Sequence, residues 1–463
     1  MLKRSLCLGS LFAVCAQFGS AQPERVSSVT LSEAVFTPQI IDMSADEIVN
    51  PGRGFFRWIY QETAPVLCKD RYSRYNWSVI ETAKGVYDYS VLDKEADAAK
   101  AAGGTFGFGI RNVVSGTFLA CPQYVTNEVD GWVSAKKTSW VPDWNSDTFL
   151  SRIEAFVNAL GARYNRDPRI GYIEIRTYGN WGEWHLSGYE APPSPMEQIT
   201  EASIHRIIDA WVRAFPDKQL IMMSDHPEGL RYAMSLTNIR VPIGWRRDSW
   251  CNKHMHTLKK SIAWPLAEER WKTAPVTVES YGGSGHTSSL GLEQIREYHV
   301  SGIGNGNFGK KWEEFPAQDQ QELLACAKAS GFRYALRSLT ITPGAKTGFT
   351  AQWVNYGVCP VYREWRVIYR LRDPGTDAVV WQQPSKIDLR SVLPAADSET
   401  KADAPVTVCD IFTMSEKILP GQYRLEIIVT DPSGYFAEPL ALAIMGRTND
   451  GAYVLGTAEI TAK

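Results

Sequence analysis

The feature that most constrains this chain is a change of rhythm near residue 331. Up to about residue 330, short apolar strand-like runs alternate with segments of helical period. Candidate strands are Gly54–Tyr60, Tyr72–Trp77, Thr105–Arg111, Ile170–Arg176, Leu220–Met223, Val241–Trp245, Val276–Glu279 and Tyr298–Ile303. Between them, Asp93–Ala102 is built of strong helix formers and stops at Gly103-Gly104. Phe149, Ile153, Phe156, Val157 and Leu160 repeat at helical spacing, as do Ile204, Ile207, Ile208, Trp211 and Phe215. Ser194-Pro-Met-Glu197 reads as a capping box opening the second of these helices. A last helix is expected over about residues 317–330. Eight strands alternating with helices predict an α/β fold, a (β/α)8 TIM barrel over 45–330. Beyond Gly331, runs such as Phe349–Val354, Trp365–Leu371 and Tyr423–Val429 follow one another with turns between them. That pattern predicts an all-β, immunoglobulin-like sandwich over 332–463.

The first 21 residues read as an export signal. Lys3 and Arg4 precede the short apolar run Leu6–Ala16, and Gly19-Ser-Ala21 supplies small residues for cleavage before Gln22. A lipid anchor at Cys15 is the weaker alternative, because Val14 stands where a small residue is expected. No later segment is apolar enough to span a bilayer, so the expectation is a secreted protein, periplasmic or extracellular, with no membrane partner. Six cysteines remain after the signal: Cys68, Cys121, Cys251, Cys326, Cys359 and Cys409. In an oxidising compartment an even count suggests disulfides, and Cys359 with Cys409 is the favoured pair. The net charge of −2 gives no basic field for nucleic acid.

Chemistry concentrates where the fourth strand ends. Arg176-Thr-Tyr-Gly-Asn-Trp-Gly-Glu-Trp-His185 sets Glu183 between two tryptophans and beside His185. A carboxyl group among indoles is desolvated, which favours its protonated form and suits a proton donor. The plain alternative is a surface glutamate in an aromatic loop. Glu279 ends the seventh strand before the glycine-rich loop Tyr281–His286. It is either a second catalytic carboxylate or a salt-bridging strand-end residue. Asp225 ends the fifth strand. It is either the cap of a helix opened by Pro227, or a group that holds a hydroxyl or acts as a base. Glu174 points into the barrel as a partner for Arg176 or Arg53. Arg111 and Asn112 are placed to hold sugar hydroxyls, and Tyr178, Trp181, Trp184, Trp245 and Tyr281 are candidate ring platforms. A metal-dependent deacetylase using His185, Asp225 and His226, with His254 and His256 as further ligands, is a rival enzyme class. A non-catalytic carbohydrate-binding protein is the rival outside enzymes. No cofactor motif appears, and the sequence leaves the oligomeric state open.

Two resemblances bear on this reading. Asn50–Phe55, Gly179–His185, Trp353–Gly357 and Leu419–Tyr423 together resemble the secreted two-domain family catalogued as domain of unknown function 4832. The resemblance spans nearly the whole mature chain and implies the barrel-plus-sandwich architecture. Separately, Tyr75–Glu81 followed by Lys84–Asp93 is similar to a run after strand two of barrel glycoside hydrolases of the β-galactosidase and cellulase type. That similarity implies an acid/base at Glu183 and a nucleophile at Glu279, acting on a polysaccharide or oligosaccharide. Gly182 stands where those enzymes carry Asn, an arrangement closer to the inverting β-amylases, so retention and inversion both stay open. If the export reading holds, N-terminal sequencing of secreted protein will start at Gln22; an intact Met1 on secreted material would refute it.

Overall fold

The computed structural model describes residues 29–42, 48–58, 69–134, 138–189, 196, 198–280, 287–304, 312–394, 405–415 and 417–462. The export segment, Cys68 and Tyr281 lie outside these residues, as do Ser194, Pro195 and Glu197 of the expected capping box.

Eight parallel strands close into a barrel. In order they are Gly54–Trp58, Arg71–Asn76, Phe106–Arg111, Ile170–Ile175, Gln219–Met223, Gly244–Trp250, Val276–Ser280 and Gly302–Gly304, called strands one to eight below. Strand eight pairs with strand one, so the sheet has no free edge. Helices Ser90–Ala101, Asp147–Tyr164, Glu201–Ala214, Pro227–Ser235, Trp264–Ala267, Ser288–Glu297 and Ala317–Ala329 follow strands two to eight. This is the (β/α)8 barrel the alternation predicts.

The helices pack through the apolar stripes read from the sequence. Asp147–Tyr164 buries Phe149, Ile153, Phe156, Val157 and Leu160, and Ser146 Oγ caps it by accepting from Phe149 N at 3.3 Å. Each such side chain contributes about 1.5–3 kcal/mol on burial. Glu201–Ala214 starts later than the capping box implied, with Thr200 Oγ1 accepting from Ser203 N at 3.3 Å. Two strands are also displaced. Strand six begins at Gly244, because Val241 and Pro242 precede the pairing and Pro lacks an amide to give. Strand eight is only Gly302–Gly304, since Tyr298 ends the preceding helix.

Strand three shows how the interior is filled. Its sequence Phe-Gly-Phe-Gly sends Phe106 and Phe108 out to the helices, where Phe108 meets Tyr164 edge-on at 5.9 Å. The glycines face inward. A Cβ on Gly107 would lie 2.4 Å from Tyr172 Cζ, and one on Gly109 would lie 2.5 Å from Arg176 Cδ. Both positions yield their space to large strand-four side chains.

The second unit is a β-sandwich. Its five-stranded sheet runs Val29–Leu31, Tyr453–Ala462, Gly421–Thr430, Arg366–Arg372, Val379–Pro384. The four-stranded sheet runs Val406–Phe412, Thr347–Asn355, Tyr334–Thr342, Ala34–Phe36. All these pairings are antiparallel, and Leu336, Phe349, Trp353, Tyr369, Leu425 and Ile427 fill the space between the sheets. Two strands lie upstream of the barrel in sequence, so the sandwich draws on both ends of the chain. At three residues each they are too short to show a period.

The expected Cys359–Cys409 bridge is not made. Cys359 is buried in the barrel's apolar core, while Cys409 is exposed on Val406–Phe412, where its thiol meets Thr350 Oγ1 at 3.7 Å. Among the described residues Cys121, Cys251 and Cys326 are also free thiols, all buried. No helix of the described residues is long and apolar enough to cross a membrane.

Gly109→Val tests the packing of the interior. The added side chain must displace Arg176, and overpacking of this kind costs about 1–3 kcal/mol. The midpoint of urea unfolding should fall accordingly, and an unchanged midpoint would show that Arg176 does not occupy that space.

Candidate functional site

The loop after strand four is wound tightly. Gly179, Trp181, Gly182 and Trp184 all have positive φ, at 84°, 53°, 69° and 62°. A Cβ on Gly182 would sit 2.1 Å from the Arg176 carbonyl oxygen, so no other residue fits there. The tryptophans have no such excuse, and left-handed backbone at a bulky residue is strained. Backbone bonds hold it: Asn180 N donates to His185 O at 2.8 Å, Trp181 N to Val113 O at 2.9 Å, and Trp184 N to Tyr178 O at 3.0 Å. The winding buries Trp184, whose indole donates to Ile175 O at 2.6 Å, and leaves Trp181 36% exposed at the barrel mouth. Glu183 is aimed across the C-terminal ends of the strands.

There it joins an ionic cluster. Glu183 Oε1 accepts from Arg74 Nη1 at 2.6 Å and from Arg176 Nη1 at 3.4 Å, and its Oε2 faces His185 Nε2 at 3.3 Å. Arg74 Nη2 donates to Glu279, which also pairs with Arg246. One guanidinium from strand two therefore bridges the carboxylates of strands four and seven. The Trp58 ring covers Arg74, 4.5 Å from Cζ. Below them Glu174 accepts from Arg246 Nη1 at 2.7 Å, from Arg176 Nε and from the Tyr72 hydroxyl. Asp248 Oδ1 accepts from Arg246 Nε at 2.7 Å. Its Oδ2 stands 3.9 Å from Arg176 Nη2 and 4.0 Å from Arg74 Nη2, with no hydrogen bond.

These contacts set the charge states. Burial works to raise the Glu174 and Asp248 carboxyls, but the surrounding arginines outweigh it and hold both below their ordinary values. His185 is shifted upward: burial opposes its charge, while the Glu183 hydrogen bond and the charges of Glu183, Asp225 and Asp248 favour it. Asp225, unlike Glu174 and Asp248, is a carboxyl whose pKa is raised. Its burial dominates, Asp248 and Glu183 add to it, and the Arg247 guanidinium 3.1 Å away does not compensate, so the carboxyl is pushed up to about 6.

Several sequence expectations are corrected. Glu183 is not sandwiched by indoles; its neighbours are two guanidinia and an imidazole, because Trp184 turns into the core. Trp184, Tyr178 and Trp245 are buried and are not platforms. Tyr178 packs edge-on to Trp144 at 4.9 Å, and the Trp245 indole donates to Ala267 O at 3.1 Å among the helices. Asn112 is buried and donates to Thr177 O at 2.8 Å, bracing the loop rather than facing the mouth. Arg111 is half-buried at the end of strand three. Asp225 is not the helix cap: His226 Nδ1 accepts from Gly229 N at 3.2 Å. His226 also packs edge-on against Tyr178 and Trp184, and among the described residues it forms no metal-sized group with His185 and Asp225. The metal set expected from the sequence therefore does not assemble. His256 instead lies with Glu293 and Glu297. Glu174 does partner Arg176, whereas Arg53 donates to carbonyls of Ile48, Lys328 and Ser330.

Trp58, Arg74, Arg246 and Asp248 are site residues that sequence reasoning missed. The available signal was alternation: Tyr72 and Arg74, and Arg246 and Asp248, are two apart on a strand, and Arg176 follows Glu174 by two just past the end of strand four, so each pair shares an inner face.

No protein-family model matches the chain, and no curated protein matches it by sequence. Among solved structures it is similar to a GH5_18 protein of Streptomyces cattleya in complex with Manβ1-4GlcNAc, at 14% identity and a TM-score of 0.35, covering 51% of this chain and 61% of that one. It is also similar to endo-glycoceramidase II of Rhodococcus sp., at 11% identity and a TM-score of 0.40, covering 82% and 100%. A third is the β-galactosidase of Rahnella sp. R3, at 11% identity and a TM-score of 0.39, covering 64% and 59%. The chain thus spans less than two thirds of the first and third of these structures.

Asp225 yields a pH test. An acid whose pKa rises from 3.8 to about 6 on folding holds its proton more tightly in the folded chain. Its contribution is intact below the unfolded value and is lost as pH rises through the folded one. Asp225→Asn removes that dependence. The melting temperature of the variant minus that of wild type should climb between about pH 4 and pH 6.5 and then level off. A difference that is flat with pH would contradict the assignment.

Proposed function

We propose that this protein hydrolyses glycosidic bonds of an oligosaccharide or polysaccharide at the C-terminal mouth of the barrel. The observation that carries the proposal is the shared guanidinium: Glu183 and Glu279, 96 positions apart in sequence, each accept from one Nη of Arg74. Two such contacts to one planar group keep the nearest carboxylate oxygens within about 7 Å. Carboxylate pairs that act on one glycosidic bond stand about 5–9.5 Å apart. Glu183 is the proton donor to the leaving oxygen, with His185 at its outer oxygen, and Trp181 offers an exposed ring face to a sugar. We also propose that the chain is exported and belongs with the secreted domain-of-unknown-function 4832 proteins, on the motifs that resemble them.

One observation favours a second reading, a carbohydrate-binding protein without catalysis. Glu279 is 0% exposed and held by two guanidinia, so it must be released before it can reach an anomeric carbon. Asp225, half-buried with Oδ2 meeting no hydrogen-bond partner, is more accessible as a second carboxylate.

Purified protein incubated with a polysaccharide panel, with reducing ends measured, separates these readings. If the proposal holds, Glu183→Gln and Glu279→Gln each lower the rate by at least about a hundredfold and keep the fold. Full activity in Glu279→Gln with loss in Asp225→Asn would move the second role to Asp225. Saturable sugar binding that Trp181→Ala abolishes, with no reducing ends released by wild type, would establish the binding protein.

A further inference from the structure

A second chamber lies at the opposite end of the barrel. The strand starts form its floor, with Phe56, Tyr172 and Thr277 facing into it, and the sandwich roofs it with Phe332, Trp365 and Phe436. Its volume is about 320 Å³. That is the low end of small-ligand sites and enough for a one-ring molecule.

The polar groups of this chamber are unevenly matched. Lys218 is 8% exposed and donates to the carbonyls of Asp167 and Ile170, using two of its three protons. Arg363 is half-buried between the rings of Tyr435 and Phe436, 5.5 and 4.9 Å from its Cζ, and its buried Nη1 meets no hydrogen-bond partner. Both cations line the chamber, and burial, with the Arg363 charge added to it, pushes the Lys218 ammonium down to about 8. Neither makes an ion pair. The chamber's two carboxylates are taken: Asp70 accepts from Thr105 N and Oγ1 at 2.7 and 2.8 Å, and Asp217 accepts from Asn165 and pairs with Arg240. Asp431, which also faces Arg363, accepts the turn amides of Ser433, Tyr435 and Phe436. The Tyr172 hydroxyl and Thr277 Oγ1 are buried and meet no partner either. Asp167 and Asp217 act on Lys218, and Asp431 on Arg363, only from beyond ion-pair distance, so the two partly buried cations are costly to hold together and an anion between them lowers that cost.

We propose that this chamber binds a small carboxylate with an apolar body, such as an aromatic acid, with its carboxylate on Arg363 and Lys218 and its ring against Trp365 and Phe436. The ligand bridges the barrel and the sandwich. The site shares no residue with the ionic cluster at the other end, so it stands or falls independently of the proposed hydrolysis.

Isothermal titration calorimetry on the full chain tests this with three one-ring probes of different charge. Benzoate should bind saturably and raise the melting temperature, while benzyl alcohol and benzylamine should do neither. Arg363→Met and Lys218→Met should each weaken benzoate on the order of tenfold, the scale of a charged hydrogen bond. Crystals of the wild-type protein soaked in benzoate give a check that does not depend on the variants folding, with the carboxylate expected at Arg363 and Lys218. No saturable benzoate binding, equal binding of benzylamine, or a carboxylate located elsewhere would overturn the proposal.

Discussion

The structure depends on an ionic layer inside the barrel. Arg74, Arg176, Arg246, Glu174, Glu279 and Asp248 meet inside the barrel between the strand ends. Taking such groups out of water costs several kcal/mol each, and removing one partner strands the other. The layer survives because each guanidinium serves more than one carboxylate. Arg74 joins Glu183 to Glu279, and Arg246 joins Glu174, Asp248 and Glu279. His185, whose pKa is shifted upward although burial opposes its charge, stands at the outer oxygen of Glu183. Replacing buried ion pairs by well-packed aliphatic side chains is often neutral or stabilising, so stability alone does not account for the layer.

Much of the architecture was legible because the outer surface of each strand and the inner surface of each helix are ordinary apolar stripes. Phe149 to Leu160 and Ile204 to Trp211 announce their helices, and Gly103-Gly104 ends another. The failures have physical causes. Strand six reads Gly-Trp-Arg-Arg-Asp-Ser-Trp, and its inner face is ionic, so hydrophobic periodicity fails there and the expected strand slipped to Val241–Trp245. Strand eight is three residues long, and the two strands before the barrel are no longer. The Cys359–Cys409 pairing assumed that nearness in sequence region meant nearness in space. Cys359 instead follows the turn that carries the chain back against the barrel.

The site was legible in one respect. The glycines around Trp181 mark a backbone that only a tight loop needs, and they point to Glu183. What the sequence could not supply was direction. Trp181 and Trp184 look equivalent on paper, yet the left-handed turn sends one to the mouth and the other into the core. Glu183 and Glu279 gave no sign that they share Arg74, because pairing across a barrel depends on strand register. Tyr72 and Arg74 carry the two-residue alternation of an inward face, but in a short polar strand that signal reads as surface. Polar alternation in barrel strands is therefore as informative as apolar alternation once the barrel itself is recognised.

The sandwich gives the barrel its polarity. Gly331 N donates to Val300 O at 2.8 Å, Tyr435 OH to Gly104 O at 2.9 Å, and Tyr362 OH to Trp271 O at 2.6 Å. These bonds fix the second unit across the strand starts, where Phe332, Trp365 and Phe436 close the N-terminal mouth. The strands Val29–Leu31 and Ala34–Phe36 enter the same sandwich from the other side of the barrel sequence, so strand one is anchored by chain on both sides. Trp181, Glu183, His185 and Asp225 lie at the opposite end, away from the sandwich. The same closure buries Lys218 and leaves Arg363 half-buried. Among the described residues neither side chain makes an ion pair there, whereas the cluster at the other end is built of ion pairs, so the two ends of one barrel present different chemistry.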